Sequence, residues 1–195
     1  MKVAIIKYNA GNIRSVSFSL ERIGITPIIT DDASEICSAD KVIFPGVGEA
    51  SSAMEYLKNR KLDEVIKSLT QPVLGICLGM QLMCKHSEEG DTDCLGIFNE
   101  QVKLFPSKGL KVPQMGWNNI CNLKTPLFNN VPENAYMYFV HSYYVELGNE
   151  TIGTTNYGVD YSSALNKNNF YAVQYHPEKS SDEGQLILQN FIEKI

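Results

Sequence analysis

The sequence predicts an α/β fold: an open, mostly parallel central sheet with helices on both faces, plus added antiparallel strands in the C-terminal half. Three observations carry this expectation. Short apolar runs alternate with helical patterns from Met1 to Lys85, the signature of βαβ units and a covered parallel sheet. The helical stretches space their apolar residues near 3.6. Beyond them the chain turns to β-branched and aromatic segments separated by prolines and asparagines.

Taken in order, "KVAIIKY" reads as a strand, and Gly11-Asn12 opens a helical stretch that runs to Gly24. "PIIT" is a second strand. "KVIFPGVG" is a third, apolar through Phe44 and then broken by Pro45-Gly46. Met54, Leu57, Leu62, Val65, Ile66 and Leu69 predict one long helix from Ser51 to Leu69. "PVLGI" is a fourth strand, feeding Cys77 and a helix through Lys85. The segments "QVKLF", "KVPQMGWNNI", "AYMYFVHSYYVEL", "TIGTTNYG", "SALNKN" and "FYAVQYHPE" read as short strands and hairpins. A last helix, "DEGQLILQNFIEKI", presents Leu186, Ile187, Asn190 and Phe191 to the sheet.

No repeat, linker or low-complexity segment divides the 195 residues, so a single domain over 1–195 is expected. A hydrophobic fraction of 44% and a charged fraction of 20% are ordinary for a globular protein. The net charge of −5 argues against a general nucleic-acid surface, which needs clustered Lys and Arg. The N-terminal apolar run is short and ends in turn-formers, reading as a strand rather than a signal peptide. No run approaches the roughly 18 apolar residues of a membrane span. Cysteines 37, 77, 84, 94 and 121 are odd in number and contain no C-x-x-C pair. That spacing speaks against a disulfide framework or a structural zinc, and for a reducing cytoplasm. No metal site and no organic cofactor is expected, since the three histidines are scattered.

The chemistry starts at "GICLGMQ". Gly75-x-Cys77-x-Gly79 fits a strand-to-helix elbow that lifts the central side chain into the open at a helix N-terminus, where a thiolate is favoured. The backbone N–H of Leu78 would then face a developing oxyanion. The same five residues also fit a small buried thiol between two glycines, the commoner fate of a free cysteine. A base is available in His176-Pro177-Glu178. The proline extends the residue before it, and i and i+2 of an extended chain project to one side, so Glu178 could orient His176. By itself H-P-E fits a solvated turn equally well. Pro45-Gly46-Val47-Gly48 could turn a peptide N–H toward the nucleophile and complete an oxyanion hole, or form a plain βα turn or phosphate cradle. It lacks the Gly-Lys-Ser/Thr of a Walker loop.

Together and in this order, the glycine-rich turn, the cysteine elbow and the late H-P-E resemble the triad-type (class I) glutamine amidotransferases. Within that family "GNIRSV", "PGVG", "GICLGMQLM", "SEEG", "CLGIF", "VPQMGWN", "FVHSYY" and "QYHPEKS" are similar to one branch. Its members are glutaminase subunits that pass ammonia to a (β/α)8-barrel cyclase in histidine biosynthesis. The resemblance implies catalytic roles for Cys77, His176 and Glu178, and oxyanion donors at Val47, Gly48 and Leu78. It implies L-glutamine as substrate, held by Gln81, by Glu89 through the α-ammonium, and by His141, Ser142 and Tyr143. It implies a heterodimer in which Asn12, Trp117, Asn118, Tyr138 and Lys179 face the cyclase.

Four of these residues also have an ordinary reading. His141 fits a packed strand histidine, Gln81 a cap or solvated side chain, Trp117 a half-buried core residue and Lys179 an exposed lysine. The sequence departs from the branch at Gln114, where histidine is usual, and at Lys7-Tyr8-Asn9, where Asp-Tyr-Gly is usual. Both lie away from the triad and bear on the partner. The alternatives are a paralogous glutaminase feeding a surface-sugar amidating enzyme, or a non-catalytic member of the fold with Cys77 as a redox sensor or buried thiol.

Overall fold

A computed structural model describes residues 1–9, 11–107 and 109–195. Its first half delivers the expected alternation: β1 (Val3–Ile6), α1 (Ile13–Arg22), β2 (Ile28–Thr30), α2 (Ala33–Cys37), β3 (Lys41–Gly46), α3 (Ala50–Asn59), α4 (Leu62–Ser68), β4 (Val73–Cys77) and α5 (Leu78–Met83). The second half is strand-rich: β5 (His86–Ser87), β6 (Thr92–Asp93), β7 (Gln101–Leu104), β8 (Gln114–Asn119), β9 (Tyr136–His141), β10 (Tyr143–Val145), β11 (Thr151–Asn156), β12 (Asp160–Lys167) and β13 (Phe170–Val173). Helix α6 (Ser181–Lys194) closes the chain.

The main sheet runs β2-β1-β3-β4-β13-β12-β10-β7-β5-β6, with β11 branching from β12. From β2 to β13 every pairing is parallel, and beyond β13 the pairings are antiparallel except for β5 on β7, which is parallel. Alternate residues of the parallel strands enter two separate cores. Ala4, Ile6, Val42 and Phe44 pack with α3, α4 and α5, while Val3, Ile5 and Ile43 pack with α1 and α6. Helices therefore cover both faces, and the parallel strands read as continuous apolar runs because both sets of alternating side chains are buried. Strands β8 and β9 form a separate two-stranded ribbon.

Three local features differ from the sequence expectation. The long helix expected over Ser51–Leu69 is two helices, because Lys61 adopts a left-handed φ of 58°. Leu57 and Leu62 still bury on either side of the break, so the apolar spacing survives it. The helix after Cys77 stops at Met83 rather than Lys85, and His86 joins β5, paired with Gln101 of β7. Helix α2, too short to show apolar periodicity, adds to the expected elements; Asp32 caps it, accepting from the N–H of Glu35 at 3.0 Å. No helix of the described residues is long and apolar enough to cross a membrane.

Candidate active site

Cys77 ends β4 and stands at the N-terminus of α5 with φ 54° and ψ −109°, a conformation L-residues rarely hold. Such backbone costs on the order of 1–3 kcal/mol and persists only where its surroundings enforce it. Here the enforcement is visible at Gly79: a Cβ there would lie 1.8 Å from the carbonyl oxygen of Phe44. The elbow is thus pressed against β3, whose Gly46 is in register with Cys77. This register sets Val47 and Gly48 beside the cysteine, at the carboxyl ends of the parallel strands where α/β sheets bind ligands.

His176 lies three residues beyond β13, the strand paired to the other side of β4. Its Nδ1 is 2.7 Å from Glu178 Oε1, and both side chains are buried. The contact is made through a short 3-10 turn, Pro177–Lys179, rather than along an extended strand. His176 Nε2 has no hydrogen bond of its own. Burial pulls the imidazole's pKa down, but the Cys77 sulfur and Glu178 outweigh it and push the pKa up to about 10. The ring is therefore set to hold a proton at neutral pH, facing sulfur on one side and carboxylate on the other. A closed loop of hydrogen bonds ties this turn to β9. His176 N–H donates to Tyr138 O (2.9 Å), Tyr138 N–H to Ser180 Oγ (2.9 Å), and Ser180 Oγ to His176 O (2.6 Å).

On the open side of Cys77 is a cavity of about 290 Å³ lined by Val47, Gly48, Cys77, Leu78, Gln81, Glu89, Pro113, Val140, His141, Ser142 and Tyr143. It is small for a ligand pocket, just under the usual range of roughly 300–1,000 Å³. Gln81 is buried and directs its Nε2 to Tyr143 O (2.9 Å) and Gln174 Oε1 (3.0 Å), which leaves its carbonyl oxygen for a ligand. Glu89 accepts from the Ala50 N–H at 2.8 Å. His141 donates from Nδ1 to Tyr143 O at 2.7 Å, and burial drives its pKa down to about 4, so it is a neutral packing group in the wall.

The chain matches the family description "Glutamine amidotransferase class-I" over residues 6–195. The chain belongs to the class I glutamine amidotransferases. It is 57% identical to the Bacteroides fragilis protein named imidazole glycerol phosphate synthase subunit HisH, covering 99% of this chain and 100% of that protein. It is 47% identical to the subunit of the same name in Haemophilus influenzae, covering 100% and 98%. Among solved structures it is similar to a putative GMP synthase subunit from Thermoplasma acidophilum. The TM-score there is 0.76 at 20% identity, covering 98% of this chain and 92% of that one, a likeness of fold.

The amidotransferase elbow thus gathers Cys77, His176, Glu178, Val47, Gly48, Leu78, Gln81, Glu89 and the 141–143 segment in one place. Of the residues expected at a partner surface, Trp117, Tyr138 and Lys179 form one row. The Trp117 and Tyr138 rings meet edge-on at 6.1 Å, and the Lys179 ammonium sits 6.0 Å over Tyr138. Asn118 is not in that row, because alternation along β8 turns it away from Trp117; it donates to Asn156 O at 2.9 Å. Asn12 donates to Glu178 Oε1 and lies 3.3 Å from His176 Nδ1. Gln174 is a site residue that sequence reasoning misses altogether. Fully buried, it donates to Cys77 Sγ at 3.8 Å and accepts from Gln81. Its only sequence signal is a polar residue at the end of the apolar strand "FYAV". Gln114, the departure from the branch, accepts from Tyr161 O–H at 3.0 Å, behind His141.

Proposed function

We propose that this chain, as one domain over 1–195, is the glutamine-hydrolysing subunit of an imidazole glycerol phosphate synthase in histidine biosynthesis. It delivers ammonia to a (β/α)8-barrel cyclase subunit in a cytoplasmic heterodimer. The carrying observation is the buried His176–Glu178 pair set behind a strained Cys77 that opens on a cavity of about 290 Å³. The acceptor is supported by full-length relatives, 44–57% identical, that carry this subunit's name. Five unpaired cysteines suit a reducing compartment.

In this reading the Cys77 thiolate attacks the side-chain amide carbon of glutamine. The carbonyl electron pair moves to oxygen, where the N–H of Leu78 and the Val47–Gly48 peptide receive it. Collapse breaks the C–N bond as protonated His176 gives its proton to the departing nitrogen, leaving ammonia and a glutamyl thioester. Neutral His176 then removes a proton from water, the oxygen adds to the thioester, and the thiolate leaves with glutamate formed. Glu178 and the Asn12 amide orient the imidazole throughout. Gln81, Glu89 and the 141–143 backbone hold the amino-acid end.

The outward face of the β8–β9 ribbon supports the partner's placement. Met115, Trp117 and Tyr136 expose 64%, 53% and 61% of their surface, an aromatic, apolar surface of the kind that marks protein interfaces. Val140 of the same ribbon lines the cavity, so a partner seated there would sit directly over the ammonia's exit.

The test is glutamine hydrolysis by the chain mixed with a cognate cyclase and its ribonucleotide substrate. Strong activation, with Cys77 labelled by a glutamine-like diazo-ketone, is the expected result. Labelling without activation by the cyclase would move the chain to another acceptor, and absence of both would overturn the glutaminase reading.

A further inference from the structure

We infer that Glu89 is a positioning residue for the oxyanion loop as well as a contact for the substrate's ammonium, tying recognition of one end of glutamine to the chemistry at the other. The inference rests on the glutaminase reading and deepens it.

Helix α3 begins two residues after Gly48. Its N-cap, Glu49, makes no side-chain hydrogen bond to the first turn. The first N–H groups of a helix have no partner within it and need one from outside. The partner here comes from a distant loop: Ala50 N–H donates to Glu89 Oε2 at 2.8 Å. A carboxylate in that position also complements the positive end of the helix dipole. The Glu89 loop is itself held firmly. Thr92 Oγ1 donates to Glu89 O at 2.7 Å, Glu89 N–H donates to Ser87 Oγ at 3.1 Å, and a Cβ on Gly90 would come within 3.0 Å of Ser51. The loop is therefore docked on the first turn of α3 at two points.

The Val47–Gly48 segment hangs between two anchors. Upstream, Gly46 is fixed by register with Cys77. Downstream, the first fixed point is the capped Ala50. Between them Gly48 is exposed, with φ 132° and no atom within 4 Å of where a Cβ would be. Glu89, Val47, Gly48 and Cys77 line the same cavity. With one carboxylate oxygen on Ala50, Glu89 has its other oxygen for an α-ammonium. Filling the ammonium site then bears directly on the segment that would hold the oxyanion. The substrate class this favours is an amide whose far end carries a free ammonium.

Glutamine turnover by the complex with the cyclase separates this from simple ammonium binding. Glu89→Gln retains an acceptor for Ala50 N–H but loses the charge, so it should raise KM while keeping kcat within about threefold. Glu89→Ala loses both and should lower kcat about tenfold or more in addition to raising KM. In the same complexes, amide hydrogen exchange over residues 47–53 should speed up about fivefold or more in Glu89→Ala and stay near wild type in Glu89→Gln. If both variants change KM alone and exchange in 47–53 is unaltered, the positioning role is overturned. If the wild-type complex turns over no glutamine, the glutaminase reading falls instead, and the exchange comparison still decides whether Glu89 anchors the loop.

Discussion

Strand β4 and the β8–β9 ribbon both reach Cys77, yet they meet different surroundings. β4 is buried along its whole length, and its two neighbours in register bring the Val47 loop on one side and His176 on the other. The ribbon alternates a dry face, with Met137, Phe139 and His141, and a wet one with Met115, Trp117 and Tyr136. The difference teaches a division of labour. The parallel half holds the candidate site residues in crystal-like packing, whereas the ribbon leaves apolar surface exposed beside the site, of the kind that marks interfaces. The Tyr138–Ser180–His176 hydrogen bonds are where the two meet.

The contrast can be broken most severely at the elbow. Cys77→Ala should cut glutamine turnover by about 10⁵-fold or more while thermal melting stays close to wild type. The backbone strain stays, because alanine at φ 54° carries the same Cβ, and only the sulfur of a buried side chain is lost. Gly79→Ala should do the opposite, driving a Cβ into the Phe44 carbonyl and costing enough stability to be plain in a denaturant titration. Glu178→Gln should slow turnover roughly 10²-fold, less than loss of Cys77, because the carboxylate orients and does not react. It should also bring the alkaline limb of the rate profile down from near pH 10, since Glu178 is one of the groups raising His176. Equal, complete loss in Glu178→Gln and Cys77→Ala would undercut that role. On the ribbon, Trp117→Ala should weaken cyclase binding about tenfold or more and shift stability by less than about 0.5 kcal/mol, as titration calorimetry and melting would report.

The smallest effect is on stability against pH, and the two buried histidines pull it in opposite directions. His176 is raised from 6.5 to about 10, so its contribution is full below pH 6.5 and is lost as pH rises through 10. His141 is lowered from 6.5 to about 4, so its contribution is full above 6.5 and is lost as pH falls through 4. Urea denaturation across this range should show a maximum near pH 6.5. Cys77→Ala should flatten its alkaline side, and His141→Gln its acid side.

Much of the site was legible because its chemistry is local. G-x-C-x-G and H-P-E are each a few residues long, so the residues that meet were readable, although His176 and Glu178 meet through a 3-10 turn and not along the extended chain expected. The helix break at Lys61 was not legible, since the apolar spacing runs straight through it. The contact of Asn12 with Glu178 was not legible either, because a left-handed residue 166 positions away is brought there only by packing of α1 against the final turn. Gln174 was invisible for the same reason.

The sequence by itself determined the alternating parallel half, the strand-to-helix elbow at Cys77, the histidine–glutamate pair and the aromatic ribbon strand, because periodicity and turn chemistry act over a few residues. Only the tertiary structure decided which neighbours those groups would have. Register across β3, β4 and β13 put loop, thiol and imidazole side by side, and a carboxylate from a distant loop capped α3. Such contacts depend on hydrogen bonds and close packing between segments far apart in the chain, and no short stretch of residues encodes them.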